Sequence, residues 1–288
     1  MSNRDWSLVF FTCLAQWSVG IVLWLSWPVI HNHDMSPVFE TGLSLTNPVL
    51  LALIFIGSAT LSSFLHLGNP ANATRALNNL SGSWLSREIL AIGIFTASLV
   101  LVFFLSWKTA NPEYLKYLMA LSSLAGLALL WTMIRIYVMP TIPAWNSWHT
   151  PVSFVSAALS LGLLTLLLLH ADGSLTIAAH IVRIFYIALS TILLIEIVSG
   201  VIHQFKLATM DQGMDKLVFD KGVFYRFFLF RMAILVFACQ LAVVLTLNPD
   251  LLPGTGDTLW VSVLLATVLA QELMGRLLFY SSYFRLGV

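Results

Sequence analysis

The chain is predicted to be an all-α integral membrane protein, a bundle of eight transmembrane helices, on three observations. Eight apolar stretches, at approximately 8–30, 48–67, 86–107, 115–138, 151–170, 178–203, 226–247 and 258–280, fill its 288 residues. Each is near the roughly 20 residues that a helix needs to cross a bilayer. Hydrophobic residues make up 59% of the chain and charged residues 9%, with a mean hydropathy of +0.89, whereas soluble domains carry roughly 25% charge. The connections are short, and at that spacing only helices satisfy their own backbone groups in lipid. No soluble domain with its own catalytic core fits between the spans, so residues 1–288 form a single membrane domain.

Taken in order, the first span follows Arg4 and contains Gln16 and several tryptophans, with no small-x-small cleavage site before His31; it is expected to be a retained helix and not a signal peptide. Cys13 in this span and Cys239 in the seventh are small hydrophobes there. They support neither a disulfide nor a cysteine metal site, and two cysteines are too few for iron–sulfur ligation. The second span ends at His66, beside Gly68 and Pro70, and the third opens at Arg87 and Glu88. The 68–85 hairpin therefore returns His66 and Glu88 to the same membrane face. The fourth span ends at Arg135 and Tyr137, before a Pro140–Pro143 loop whose Trp145 and Trp148 suit interfacial anchoring. The fifth span starts at Pro151. In the sixth, Glu196 lies mid-span, with His203 seven residues on along the same face. Arg231 in the seventh reads as a buried counter-charge. In the eighth, Glu272 and Arg276 stand four apart, one helical turn, and are expected to form a structural ion pair.

The Lys and Arg residues near the span ends set the orientation. With eight spans, one side carries Arg4, Arg75, Arg87, Lys206, Lys216, Lys221, Arg226 and Arg285, and the other Lys108, Lys116 and, inside the start of the sixth span, Arg183, with the acidic Asp34, Glu40, Asp250 and Asp257. Both termini are accordingly expected to be cytoplasmic. The net charge of +1 implies no particular partner class. Gly254-Thr255-Gly256 reads as a plain turn, and no glycine loop for nucleotides is present. Haem is not expected among the seven histidines: His31, His33, His149 and His180 fall in loops or at helix ends, and His66, His170 and His203 supply no obvious mid-bilayer pairs.

Ionisable groups in hydrocarbon cost several kcal/mol unless paired, hydrated or moved to the interface, so His66 and Glu88 admit two readings. A neutral imidazole can hydrogen-bond a quinone carbonyl or accept a quinol proton, and a buried carboxyl can pass that proton to water. Alternatively His66 caps the second helix while Glu88 pairs with Arg87 or Arg75. Arg135 either anchors the interface or orients an acidic partner or a quinone oxygen.

Three segments carry a resemblance. Ser58-Ala59-Thr60-Leu61-Ser62-Ser63-Phe64-Leu65-His66-Leu67-Gly68-Asn69-Pro70, followed by Leu85-Ser86-Arg87-Glu88-Ile89, resembles the membrane anchor subunit of the bacterial anaerobic dimethyl sulfoxide reductases. Trp131-Thr132-Met133-Ile134-Arg135-Ile136-Tyr137, continuing through Pro143-Ala144-Trp145 to Trp148-His149-Thr150-Pro151, looks like that family's fourth-to-fifth helix connection. Glu272-Leu273-Met274-Gly275-Arg276-Leu277-Leu278-Phe279-Tyr280 looks like its final helix. Their order and the eight-span layout match across essentially the whole chain, most weakly in the loops at 31–47, 204–225 and 248–257. The resemblance implies that the chain binds menaquinol as substrate, with His66 and Glu88 at the family's quinol-site positions and Arg75, Arg87, Arg135 and Tyr137 as possible supports. It also implies two peripheral partners, an iron–sulfur electron-transfer subunit and a catalytic subunit carrying a molybdenum bis-pterin cofactor. No haem or metal is expected in this chain, its other surroundings being inner-membrane lipid and not nucleic acid. The terminal S-oxide or N-oxide would be reduced elsewhere in the complex. Catalytic subunits of this family commonly carry twin-arginine export signals, which places them outside, whereas the charge pattern places the His66–Glu88 face inside.

Two other functional classes fit some of the same residues. A proton-coupled secondary transporter would use Glu196, His203, Arg231 and the Glu272–Arg276 pair as its substrate path, although neither inverted repeats nor broken mid-membrane helices are evident. A purely structural anchor would use His66 and Glu88 only as helix caps.

Overall fold

The computed structural model describes residues 3–30, 47–64, 77–107, 112–175, 177–211, 222–248 and 258–283. His66 and Arg75 lie outside the described residues, as do the Gly254–Gly256 turn and the acidic residues at 34, 40, 250 and 257. The described chain is helical, without strands. Its helices are α1 (Asn3–Ile30), α2 (Pro48–Phe64), α3 (Trp84–Trp107), α4 (Pro112–Tyr137), α5 (His149–Ala171), α6 (Ala179–Asp211), α7 (Val223–Leu247) and α8 (Leu259–Ser281), with a 3-10 turn at Leu77–Asn79 before α3.

Local chemistry explains several boundaries. Asn47 caps α2, its Oδ1 accepting from the backbone N–H groups of Val49 (2.9 Å) and Leu50 (3.3 Å). Pro48 and Pro112 each occupy the first position of a helix, where a missing N–H is harmless. The α5 start is held by Thr150 Oγ1 donating to the Trp145 carbonyl at 2.6 Å, so the helix begins two residues before the expected 151 and includes His149. At its far end α6 continues to Asp211, which makes the first part of the expected 204–225 loop helical.

Seven of these helices are long and apolar enough to span a bilayer. The exception is α2, whose 17 residues rise about 25 Å at 1.5 Å per residue, against a hydrocarbon core of about 30 Å. The expected span 48–67 extends past this helix into residues outside the described set, so the described residues support seven spans and a shorter apolar helix.

The two most enclosed helices, α1 and α5, form the axis of the bundle. The α2 and α4 helices flank α1, with α3 packed against both of them, while α6 and α8 flank α5, with α7 packed against both of those, and α8 also reaches α1. The axis is close because glycine allows it. A Cβ at Gly20 would collide with the Ala158 carbonyl, and one at Gly162 would collide with the Gly20 carbonyl carbon. Ala158 and Gly162 are four residues apart on α5, the small-xxx-small spacing that lets membrane helices touch backbone to backbone. Tryptophans lock the crossing: Trp17 Nε1 donates to Thr165 Oγ1 at 2.7 Å and Trp24 Nε1 to the Leu159 carbonyl at 2.9 Å. The outward faces of the flanking helices are apolar, with Leu124 and Leu127 on α4, Leu194 and Val198 on α6, and Phe230 and Phe237 on α7 exposed as lipid-facing side chains.

Candidate functional site

Alternation of the helices brings the start of α1, α3, α5 and α7 and the end of α2, α4, α6 and α8 to one end of the bundle, and the buried polar groups concentrate in that half. They form three connected regions.

The first region surrounds Glu88, which opens the buried face of α3 and is only 5% exposed. Neighbouring Arg87 does not pair with it. Arg87 turns outward, donating from Nε to the Leu80 carbonyl (2.8 Å) and from Nη2 to the Ser81 carbonyl (2.7 Å), with its guanidinium 4.2 Å from the Trp84 ring centroid. Arg135, from the end of α4, lies over the tryptophans of this edge, 5.0 Å from Trp84 and 5.8 Å from Trp131. Its buried Nε finds no acceptor among the described residues. Tyr137 lies within electrostatic range of Glu88, and Arg135 lies over Trp84, one turn before Glu88 on α3, so the end of α4 meets the start of α3 around residues singled out in the sequence.

The second region joins Tyr137 to the last helix. Tyr280 Oη donates to Tyr137 Oη at 2.9 Å, and Trp145 stacks on Phe279 at 5.1 Å while its Nε1 donates to the Phe279 carbonyl at 2.7 Å. Phe154 closes the cluster edge-on to Phe279. The Trp145 loop is thus tied down onto α8, and Trp145 is buried. Interfacial anchoring accounts for Trp148, which is exposed, and not for Trp145.

The third region is a buried charged network among α1, α5, α6, α7 and α8. Arg231 Nη2 meets Glu196 Oε1 at 2.5 Å, and Arg231 Nε donates to the Gln271 carbonyl at 3.2 Å. Glu196 is therefore the partner of the Arg231 counter-charge. Gly275 leaves room for this guanidinium, since a Cβ there would sit 2.8 Å from its Cζ. The expected Glu272–Arg276 ion pair is absent from the ion pairs of the described residues. Arg276 instead points across the bundle, donating from Nη2 to Gln16 Oε1 (2.6 Å) and to the Ser153 carbonyl (3.3 Å), with its Cζ 4.0 Å from the centre of the Phe154 ring. Glu272 Oε1 accepts from Gln271 Nε2 at 3.0 Å. The i,i+4 spacing places both groups on one side of α8, but Arg276 finds neutral oxygens on α1 and α5.

Beside this network a cavity of about 30 Å³ lies between α5, α6, α7 and α8, lined by His149, Ser153, His203, Gln204 and Arg231 among others. His149 and His203 stack with ring centroids 4.6 Å apart. Ser199 Oγ lies 2.5 Å from His149 Nδ1, and Ser147 Oγ lies 3.3 Å from His203 Nδ1. Sequence reasoning missed His149 as a buried group, because it precedes the apolar run; it also missed Gln16, Gln271 and Tyr280 as polar members of the interior. A polar residue inside an apolar span is the signal that would have found the two glutamines.

Comparison with known proteins connects this architecture to a family. The family described as "DMSO reductase anchor subunit (DmsC)" matches residues 1–282. Similar proteins include the anaerobic dimethyl sulfoxide reductase subunit YnfH of Escherichia coli K12, 31% identical over 162 residues, which are 55% of each protein. The C subunit of the anaerobic dimethyl sulfoxide reductase of Haemophilus influenzae Rd is 30% identical over 197 residues, 67% of this chain and 69% of that one. The corresponding C subunit of Escherichia coli K12 is 27% identical over 295 residues, 99% of this chain and 97% of that one. The first similarity thus spans about half of its relative and the last nearly all.

Proposed function

Because this chain belongs to the DMSO reductase anchor subunit family, which it matches over residues 1–282, we propose that it is the quinol-oxidising membrane subunit of a molybdenum-containing S-oxide or N-oxide reductase complex in anaerobic respiration. Its role as a multi-pass membrane anchor follows from the family and the apolar helices, and displaces the secondary-transporter alternative. The observation that supports a quinol site is the burial of Glu88 at the end of the bundle where Arg135 and Tyr137 also gather. A carboxyl at 5% exposure on an apolar helix is too costly to be explained by mere interfacial solvation, and Arg87 faces away from it.

In this reading His66 orients the hydroquinone or accepts one of its protons, and Glu88 relays a proton toward water. Arg135, Tyr137 and Arg87 border the same face, and Arg75 is proposed as a further support. Oxidation of menaquinol to menaquinone releases its electrons singly to an iron–sulfur partner, and a partner with a molybdenum bis-pterin cofactor reduces the terminal acceptor. The anchor contributes positioning and proton handling, and the partners' cofactors carry the electrons. The inner membrane is the proposed location. The concentration of Lys and Arg on the His66–Glu88 side supports cytoplasmic termini, which labelling of single cysteines placed in the loops from each side of the membrane would test.

The deciding experiment compares wild-type, His66→Ala and Glu88→Gln complexes that have assembled with both partners. Loss of menaquinol-dependent reduction, with reduction by an artificial dye that feeds the partners directly left intact, is expected. Normal menaquinol-dependent turnover in both variants would overturn the quinol site and leave a purely structural anchor.

A further inference from the structure

We propose that the carboxyl pair Glu196–Glu272 is a proton-binding site inside the bundle, holding one proton between two carboxyls and exchanging it through the water-sized cavity beside His149, His203 and Arg231. It is independent of the quinol reading and involves none of the residues assigned to it.

Glu196 comes from α6 and Glu272 from α8, and they are 0% and 1% exposed. The two carboxyls lie within hydrogen-bonding reach of each other. One oxygen of each is satisfied, Oε1 of Glu196 by Arg231 and Oε1 of Glu272 by Gln271 Nε2. The second oxygen of each, Oε2, has no donor among the described residues. Ionised carboxylates are acceptors only, so two of them in contact leave both oxygens unsatisfied and place like charges together in an apolar interior. A single proton answers both problems. It removes one negative charge and makes one carboxyl a donor to the other, the arrangement of paired carboxyls that share a proton.

The surrounding charges are consistent with one proton and not with full ionisation by pairing. From α7, Arg231 is committed to Glu196. From α8 itself, Arg276 is turned to Gln16 and Ser153, so among the described residues no guanidinium sits at ion-pair distance from Glu272. The other titratable groups near the pair are Cys13 from α1, His149 from α5 and His203 farther along α6, the two imidazoles standing on the cavity side of Arg231. Tyr137 and Tyr280 border Arg276 from α4 and α8.

Access follows from the same geometry. Arg231 both binds Glu196 and lines the cavity. The cavity's roughly 30 Å³ exceeds the volume a single water needs, and its lining offers several polar partners. Gln204, Leu207 and Ser282 extend that lining toward the end of the bundle. A proton arriving on cavity water passes the Arg231–Glu196 contact to reach the pair.

Infrared spectroscopy of the full-length protein in lipid tests this directly. Glu88→Gln is used as the background, because it removes the remaining buried carboxyl of the described residues. The expected result is a protonated-carboxyl C=O stretch at neutral pH that downshifts in D2O and disappears when Glu272→Gln is added, since Glu196 then remains paired with Arg231 alone. Absence of the band in the background protein, its persistence after Glu272→Gln, or a band that does not shift in D2O would each overturn the proposal. Should the double variant fail to fold, the Glu88→Gln background protein labelled with 13C-carboxyl glutamate decides in its place: a D2O-sensitive band that moves with the label supports the site, and no such band refutes it.

Discussion

Glu88 on α3 and Glu196 on α6 are both buried carboxyls in apolar helices, yet the protein meets their charges differently. Glu196 has a guanidinium at 2.5 Å, a second carboxyl beside it and a cavity next door, all supplied by α7, α8 and α5. Glu88 has no ion pair among the described residues; its adjacent Arg87 is engaged by backbone carbonyls and Trp84. A carboxyl whose charge is met inside the bundle contributes to holding helices together. One left without a counter-charge is, under the proposed function, available to an incoming substrate. The contrast predicts that changes in the α6–α8 network register mainly in stability, and changes at Glu88 mainly in turnover.

The largest expected effect is Arg231→Ala. It strands Glu196 without its partner, and removing one member of a buried ion pair typically costs about 3–5 kcal/mol. Thermal unfolding in detergent, followed by the loss of helical circular dichroism, measures it; a variant as stable as wild type would erase the distinction drawn between the two carboxyls. Next is Gly275→Ala, whose Cβ would meet the Arg231 guanidinium at 2.8 Å. Overpacking of this kind typically costs about 1–3 kcal/mol, and combining it with Arg231→Ala in a thermal-denaturation cycle should show that most of its effect vanishes once the arginine is gone. Glu88→Gln keeps the size of the side chain, so its effect on the same melting curve should be about 1 kcal/mol or less, while menaquinol-dependent turnover of the assembled complex falls away. A melting loss as large as that of Arg231→Ala would instead make Glu88 structural. The smallest effect belongs to Tyr280→Phe, which deletes the 2.9 Å bond to Tyr137 that bridges the two regions. Interhelical hydrogen bonds in membrane proteins average about 0.6 kcal/mol, and that shift should be visible only as a small change in melting temperature.

Much of the architecture was legible in advance because lipid imposes a simple constraint. A run of about 20 apolar residues must be a helix, so every expected span has a helical counterpart and most boundaries fall within a few residues. The exceptions have local causes. The α5 helix starts early because Thr150 and Ser147 tie down its first turn, and α6 runs on to Asp211 past the end of its apolar pattern. Phe64 is the last described residue of α2, so the end of the expected span at 67 lies outside the described residues. Site residues were legible one by one as ionisable groups in apolar sequence, and Glu88, Glu196, Arg231, Glu272 and Arg276 were all found that way. Their partners were not. Spacing along α8 joined Glu272 to Arg276, whereas the fold sends Arg276 to Gln16, 260 residues away in sequence.

The sequence alone therefore determined that this is a helical membrane protein, where its helices run, which side chains have polar business inside them and, through its motifs, the family to which it belongs. Those properties depend on the solvent each segment meets, and the residues of that segment carry them. Only the tertiary structure decided which charges meet. The Gly20–Gly162 contact draws α1 against α5, and the direction and length of the arginine side chains then select acceptors on whichever helices lie within reach. A guanidinium spans several ångströms and can turn to any face around its helix, so its partner is set by the packing of distant segments and not by its neighbours along the sequence.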